Sequence, residues 1–163
     1  MEVYLLNAVA GGMMTLHGLG DEIYGYESIR GQAMFAEFNV AKTFMLEPHT
    51  SGIEHGFVLR PKGQYNRQID ACLKATDTLS LHRCTDINAD IFWTVLDGQI
   101  ASVRDPSRCL AHRLSNNAGV TQGCSSDARS FVSIVKKESG WTSGGTNDKI
   151  FLQRVSVPLS VLF

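Results

Sequence analysis

The chain has 163 residues, a formal net charge of −1 and a sequence pI near 6.5. This length suits one compact domain with a substantial core. The basic residues are scattered and their longest run is Lys136–Lys137, so charge gives no indication of a nucleic acid or an anionic membrane as partner. No stretch of the sequence is long and apolar enough to span a bilayer.

The first 50 residues contain four strand-like runs, "VYLLNAV", "MMTLHG", "EIYGY" and "FAEFNV". Runs of this kind, rich in β-branched and aromatic residues and bounded by turns, predict strands. In the third run Tyr24 and Tyr26 would point to the same face of a strand. Tyrosine combines an apolar ring with a hydroxyl, so we predict these two residues as a candidate receptor-binding platform. The alternative is that they pack over the base of the domain.

One pattern occurs twice in the middle of the chain, at residues 71–84 and 109–124. Both stretches, "ACLKATDTLSLHRC" and "CLAHRLSNNAGVTQGC", contain Cys-Leu near the start and end on a second cysteine. An aromatic residue follows each of them, Trp93 and Phe131, and we expect Trp93 to lie in the core. Corresponding positions are 37 to 40 residues apart, a period that marks a repeated supersecondary unit.

Each copy of this repeat contains four strand-like runs. They are "GFVLRP", "ACLKAT", "LSLHRC" and "IFWTVL" in one copy, and "GQIASVR", "RCLAHR", "GVTQGC" and "FVSIVK" in the other. The N-terminal runs form a weaker third copy, with Phe35 or Phe38 at the aromatic position. Three units of four strands match a β-trefoil, whereas three blades are too few for a propeller. We therefore predict an all-β fold, a β-trefoil over residues 1–136 with a C-terminal extension.

The four cysteines form no Cys-x-x-Cys motif and fall into two similar pairs. This arrangement favours disulfides and an oxidising compartment, and the repeat favours the bridges Cys72–Cys84 and Cys109–Cys124. A zinc site that includes His82 and His112 is the rival interpretation, but its spacing matches no common ligand pattern. The disulfides lead us to expect a secreted protein, or one that is periplasmic or associated with the outer membrane before release. Residues 3–14 lack the basic start and the cleavage site of a signal peptide, so we expect the chain to be in its mature form.

The final segment, residues 137–163, lies outside the repeat. It contains the glycine-rich stretch "GWTSGG", in which Trp141 is a candidate receptor-binding anchor. The chain ends in an apolar tail that we expect to pack on this domain or on a partner. The candidate partner-binding residues of this tail are Leu159, Val161, Leu162 and Phe163.

The succession of Cys-Leu, a second cysteine, an aromatic residue and Gly-Gln-Ile resembles the ricin-type lectin repeat. The resemblance covers residues 56–135 well and residues 1–50 loosely. It implies a β-trefoil with three related units, in line with the strand count.

Two departures from that family bear on function. The Gln of its Gln-x-Trp motif is replaced by Ile91 and Arg129. Sugar-binding copies of the repeat place an Asp two residues after the first cysteine, and here those positions are Lys74 and Ala111. The resemblance therefore does not imply a galactose site.

The order of the units, the opening "LLNAVAGGMMTLHG" and the apolar tail resemble the A and C subunits of cytolethal distending toxin. This resemblance implies a delivery subunit that binds glycan or lipid on target cells. Its implied partners are a nuclease-like toxin subunit and a second trefoil subunit. The sequence has no Gly-x-Ser-x-Gly elbow, phosphate loop or His-Glu-x-x-His motif, so we expect no catalytic residues, cofactor or metal. A free-standing lectin is the first alternative, and a β-trefoil hydrolase inhibitor acting through "GWTSGG" is the second.

Overall fold

The computed structural model describes residues 1–17, 28–29, 32–36, 43–49, 56–62, 71–124 and 127–137. Thirteen strands lie within these ranges: β1 (Glu2–Asn7), β2 (Gly12–His17), β3 (Ser28–Ile29), β4 (Gln32–Ala36), β5 (Phe44–His49), β6 (Gly56–Pro61), β7 (Cys72–Lys74), β8 (Ser80–His82), β9 (Trp93–Leu96), β10 (Gln99–Ser102), β11 (Arg108–Arg113), β12 (Ala118–Gly123) and β13 (Ser133–Lys136). One 3-10 turn spans Ala128–Ser130. None of the described residues belongs to a helix that could cross a membrane.

Six strands follow one another around a barrel in the order β13–β1–β5–β6–β9–β10, and every neighbouring pair in this series is antiparallel. Three further pairs, β2–β4, β7–β8 and β11–β12, form hairpins. Each repeat thus gives its first and fourth strands to the barrel and its middle two to a hairpin. The first unit contains β1, β2, β4 and β5, the second β6 to β9, and the third β10 to β13. This topology is that of a β-trefoil, which confirms the predicted fold.

The core fills the barrel and the space beneath the hairpins. Trp93 is fully buried there, as predicted, and its indole Nε1 donates to the carbonyl of Leu73 at 3.1 Å. A buried indole that has a hydrogen-bond partner avoids the cost of an unsatisfied polar group. Large side chains from the barrel strands of the first two units belong to the same cluster, among them Phe44, Phe57, Leu5, Leu46 and Leu59.

The first unit differs from its predicted form in its fourth strand. That strand is Phe44–His49, whereas the sequence pattern placed it at "FAEFNV", whose Phe35 belongs instead to β4. Phe38 and the predicted strand "EIYGY" lie outside the described residues. The prediction was wrong here because the first unit has no cysteines to set the alignment of its strands.

Strand register also shows which residue of the first unit occupies the repeated aromatic position. Phe44 pairs with Val3 at the start of β5, just as Trp93 pairs with Phe57 at the start of β9. Phe35 pairs with Met14 within the first hairpin. Phe44 therefore occupies the position that the sequence pattern assigned to Phe35 or Phe38.

Both expected disulfides are formed, Cys72–Cys84 in the second unit and Cys109–Cys124 in the third. Each closes a short loop, and in the chain-entropy model such a bridge stabilises the folded state by roughly 3 kcal/mol. Since all four sulfurs are used in this way, the zinc alternative is excluded for the cysteines.

At the base of the barrel, Glu2 of β1 is held by two lysines that follow other barrel strands. Its carboxylate lies 2.8 Å from Lys62 Nζ and 3.0 Å from Lys137 Nζ. Burial raises the pKa of Glu2, but hydrogen bonds from Lys62, Lys137 and Thr43 oppose it and bring the pKa to about 2. These contacts link the ends of β6 and β13 to β1.

The three hairpins meet at Gly119 of the third unit. The backbone N–H of Leu79 in the second unit donates to the Gly119 carbonyl at 3.0 Å. A Cβ atom on Gly119 would lie 2.9 Å from the Ala33 Cβ and 3.2 Å from Leu79 Cδ1. No side chain fits at this position without displacing the first or second hairpin.

We expect Gly119→Ala to lower the free energy of unfolding by about 1–3 kcal/mol, because the added methyl group overpacks this junction. Gly123→Ala is the control, since a Cβ there would meet no atom within 4 Å. Urea unfolding of both variants measures the difference. Equal stability of the two variants would contradict the packing described here.

Candidate functional site

The predicted binding residues of the N- and C-terminal segments are not placed by the structure. They lie outside the described residues and stay predictions: Tyr24, Tyr26, Trp141, Leu159, Val161, Leu162 and Phe163.

A polar surface lies on the second hairpin. In the β7–β8 pair, Lys74 is opposite Ser80, and residues on the neighbouring positions, Leu73 and Leu81, are buried in the core. Because side chains alternate across a strand, Lys74, Ser80 and His82 share the opposite face. We call the surface formed by Lys74, Ser80, His82 and Asp86 the outer hairpin face.

A carboxylate reaches this face from the loop after β8. The Nε2 atom of His82 lies 2.8 Å from Asp86 Oδ2, and the backbone N–H of Asn88 donates to Asp86 Oδ1 at 3.2 Å. The hydrogen bond from His82 is the main cause that lowers the pKa of Asp86, followed by that from Asn88. The positive charge of Lys74 lowers this pKa further. Asp86 is therefore an ionised acceptor at neutral pH.

The loop that carries Asp86 is fixed from several sides. The bridge Cys72–Cys84 holds its start, and the guanidinium of Arg104 donates to the carbonyl of Ile87 at 2.7 Å and to that of Asn88. Further along, Ser102 Oγ donates to Asp90 Oδ1 at 2.8 Å. These contacts hold Ile87 on the surface with 56% of its side chain exposed, next to Asp86.

The hydroxyl groups at the other end of the face bond to each other. Thr76 Oγ1 lies 2.9 Å from Ser80 Oγ and 2.5 Å from the carbonyl oxygen of Thr78. These bonds give Ser80 a defined orientation beside Lys74, its cross-strand neighbour.

Lys74 differs from Lys62 and Lys137 in that it forms no ion pair among the described residues. Its side chain is half-buried, and among the described residues its ammonium has no hydrogen bond and no carboxylate within 4.0 Å. Lys62 and Lys137, by contrast, are both paired with Glu2. The ammonium of Lys74 therefore acts on Asp86 through its charge alone and makes no direct ion pair among the described residues.

The corresponding face of the third hairpin is apolar. Ala111, which corresponds to Lys74, is buried with Ala118 and Val120, and its backbone pairs with that of Phe131. The polar surface of the second unit is thus not repeated in the third.

His112 has a structural role at the junction of the first and third units. Its ring stacks on Phe35 with centroids 4.3 Å apart, and its two nitrogens lie 2.9 Å from Asn7 Nδ2 and from Asn117 Oδ1. Both nitrogens of the buried imidazole are satisfied. The predicted default role for the histidines, a satisfied structural one, applies here.

Sequence reasoning identified Lys74 as a departure from the lectin repeat but missed Asp86 as the carboxylate of this surface. The available signal was its spacing, four residues after His82 and two after Cys84. Within the described residues, no cluster of three or more His, Cys, Asp or Glu side chains could hold a metal ion.

Comparison with known proteins identifies the fold of the chain. It matches no protein-family model, and no curated protein sequence matches it significantly. Among solved structures, it is similar to the designed three-fold symmetric protein ThreeFoil, with a TM-score of 0.59, 9% identity, and coverage of 83% of this chain and 99% of that one.

Two further solved structures have comparable similarity to this chain. A mosquitocidal holotoxin gives a TM-score of 0.60 at 15% identity over 85% of this chain and 17% of that chain. The C-terminal domain mutant of an earthworm lectin, in complex with 6'-sialyllactose, gives 0.56 at 12% identity over 82% and 96%. At these identities the likeness shows the fold alone, so the chain is defined as a β-trefoil protein.

The His82→Phe variant tests the geometry of Asp86. Phe keeps an aromatic ring but removes the hydrogen-bond donor, so we expect the pKa of Asp86 to rise towards its ordinary value. Carboxyl-carbon NMR titration measures this shift. Asp127, whose pKa is lowered mainly by hydrogen bonds from Arg129, is the internal control and is expected to keep its titration midpoint. An unchanged midpoint for Asp86 would show that His82 does not hold it.

Proposed function

We propose that this chain is a non-catalytic binding subunit of a secreted bacterial toxin assembly and that it attaches to glycans on target cells through the outer hairpin face. The observation that carries the proposal is that one surface has an ammonium without a direct hydrogen bond, a hydroxyl and an ionised carboxylate. Sugars present many hydroxyl groups, which both donate and accept hydrogen bonds, and this set complements them.

The rigidity of the face supports a binding role. The disulfide at Cys84 and the two carbonyl contacts of Arg104 hold the loop in position before any ligand arrives. A preorganised surface loses less conformational entropy when it binds. The exposed Ile87 beside Asp86 offers an apolar contact for the C–H face of a sugar ring.

The same geometry favours binding over hydrolysis. Glycosidases generally place two carboxyl groups on either side of the glycosidic bond, and one of them is kept protonated. On the outer hairpin face Asp86 is kept ionised by His82 and Asn88, which makes it unsuitable as a general acid. The nearby carboxyl of Asp90 is already hydrogen-bonded to Ser102.

The toxin part of the proposal is supported by the layout of the sequence and by the fold. The repeat order and the apolar tail at residues 159–163 resemble the A and C subunits of cytolethal distending toxin. A domain of this fold also occurs within the much longer chain of a mosquitocidal holotoxin. We propose a nuclease-like subunit and a second trefoil subunit as the partners, with the apolar tail in the contact. Lipid recognition by the N-terminal tyrosines is compatible with such a subunit.

Glycan binding is tested by screening the full chain on a glycan array. We expect wild-type protein to bind, and Asp86→Asn to weaken the affinity about tenfold, because a charge-assisted acceptor is lost. Asp97→Asn, in the exposed turn between β9 and β10, is the matched control and is expected to bind as wild type does. Equal loss in both variants, or no binding by wild type, would refute a glycan site on this face.

The partner proposal is tested by affinity purification of native secreted material through this chain, followed by mass spectrometry. Co-purification of a nuclease-like chain and a second trefoil chain supports the toxin assembly. A chain that elutes alone and binds glycan supports the free-standing lectin. A chain that elutes alone, binds no glycan and blocks a hydrolase supports the inhibitor.

A further inference from the structure

Building on the proposed glycan-binding function, we infer that the outer hairpin face recognises an acidic sugar and that Lys74 receives its carboxylate. The inference concerns the chemical class of the ligand, which the proposed function leaves open between neutral and acidic glycans.

The first argument is the state of Lys74. Among the described residues its ammonium makes no direct hydrogen bond or ion pair, whereas Lys62 and Lys137 share the carboxylate of Glu2. Its charge acts on Asp86 without direct contact. A ligand carboxylate would supply the missing partner as a charge-assisted hydrogen bond.

The second argument is the state of Asp86, the carboxylate of this face on which the charge of Lys74 acts. Its two oxygens already accept from His82 and from the backbone N–H of Asn88, and the positive charge of Lys74 compensates part of its negative charge. Each oxygen keeps a further lone pair. Asp86 can therefore accept a hydrogen bond from a hydroxyl group of a sugar whose carboxylate binds Lys74.

Together the two groups require a ligand with an acid group and a hydroxyl on the same ring system. A neutral sugar satisfies Asp86 and leaves the Lys74 ammonium without a direct hydrogen bond, whereas a simple anion satisfies Lys74 and leaves Asp86 unused. An acidic sugar satisfies both. The third hairpin has buried Ala111 in place of Lys74, so we expect only the second of these two hairpins to bind.

Isothermal titration calorimetry of the full chain with 6'-sialyllactose and with lactose tests the inference, since the two probes share a lactose core and only the first has a carboxylate. We expect wild-type protein to bind sialyllactose about tenfold more tightly than lactose, in keeping with one charge-assisted hydrogen bond. This preference is expected to shrink at high salt, because the pair is partly exposed.

The decisive variant is Lys74→Met, which keeps the aliphatic stem and removes the charge. We expect it to bind sialyllactose about tenfold more weakly while its affinity for lactose stays the same. Lys136→Met is the control, since Lys136 is exposed on β13 and has no ion pair among the described residues. Circular dichroism confirms that both variants are folded.

The outcomes separate this inference from the proposed function. Equal binding of the two probes by wild type, or an unchanged preference in Lys74→Met, overturns the acidic-sugar inference and leaves a glycan-binding protein. Failure of wild type to bind these probes, together with an empty glycan array, overturns the proposed function and the inference with it.

Discussion

The close approach of the three hairpins at Gly119 is the contact on which the rest of the structure depends. Ala33 and Leu79 lie so close to this position that an added Cβ would fall 2.9 Å and 3.2 Å from their side chains. The hairpins therefore turn their apolar sides towards each other and towards the barrel. On the second hairpin the opposite side has Lys74, Ser80 and His82, which are partly exposed, beside the buried Cys72.

Divergence between the second and third units then accounts for a polar surface on only one of these two hairpins. The second and third units share a fold and a local disulfide, yet Ala111 and Val120 make the third hairpin apolar where the second has Lys74 and Ser80. The third unit contributes to stability instead, through His112, whose imidazole joins β11 to Asn7 and Phe35 of the first unit. The third unit thus has a structural role at this position, and the proposed binding role falls to the second unit.

The sequence predicted the parts of this fold that repeat. The cysteine pairs and the 37- to 40-residue period located the eight strands of the second and third units and both bridges. The fourth strand of the first unit was misplaced because no cysteine set its alignment, and only pairing with Val3 shows that Phe44 takes the aromatic position. In the site, Lys74 was visible as a departure from the lectin repeat. The role of Asp86 depends on a loop closing back onto His82, a tertiary contact that residue spacing alone does not reveal.

The claim that the outer hairpin face binds a glycan is tested most directly by mapping the contact on the molecule. Backbone amide chemical shifts of the ¹⁵N-labelled full chain would be followed while 6'-sialyllactose is added. The account predicts that the largest shifts fall within residues 74–90, around Lys74 and Asp86, and that the β11–β12 hairpin is unaffected. Shifts centred on the third hairpin, or spread over the barrel without a maximum in the second unit, would contradict it.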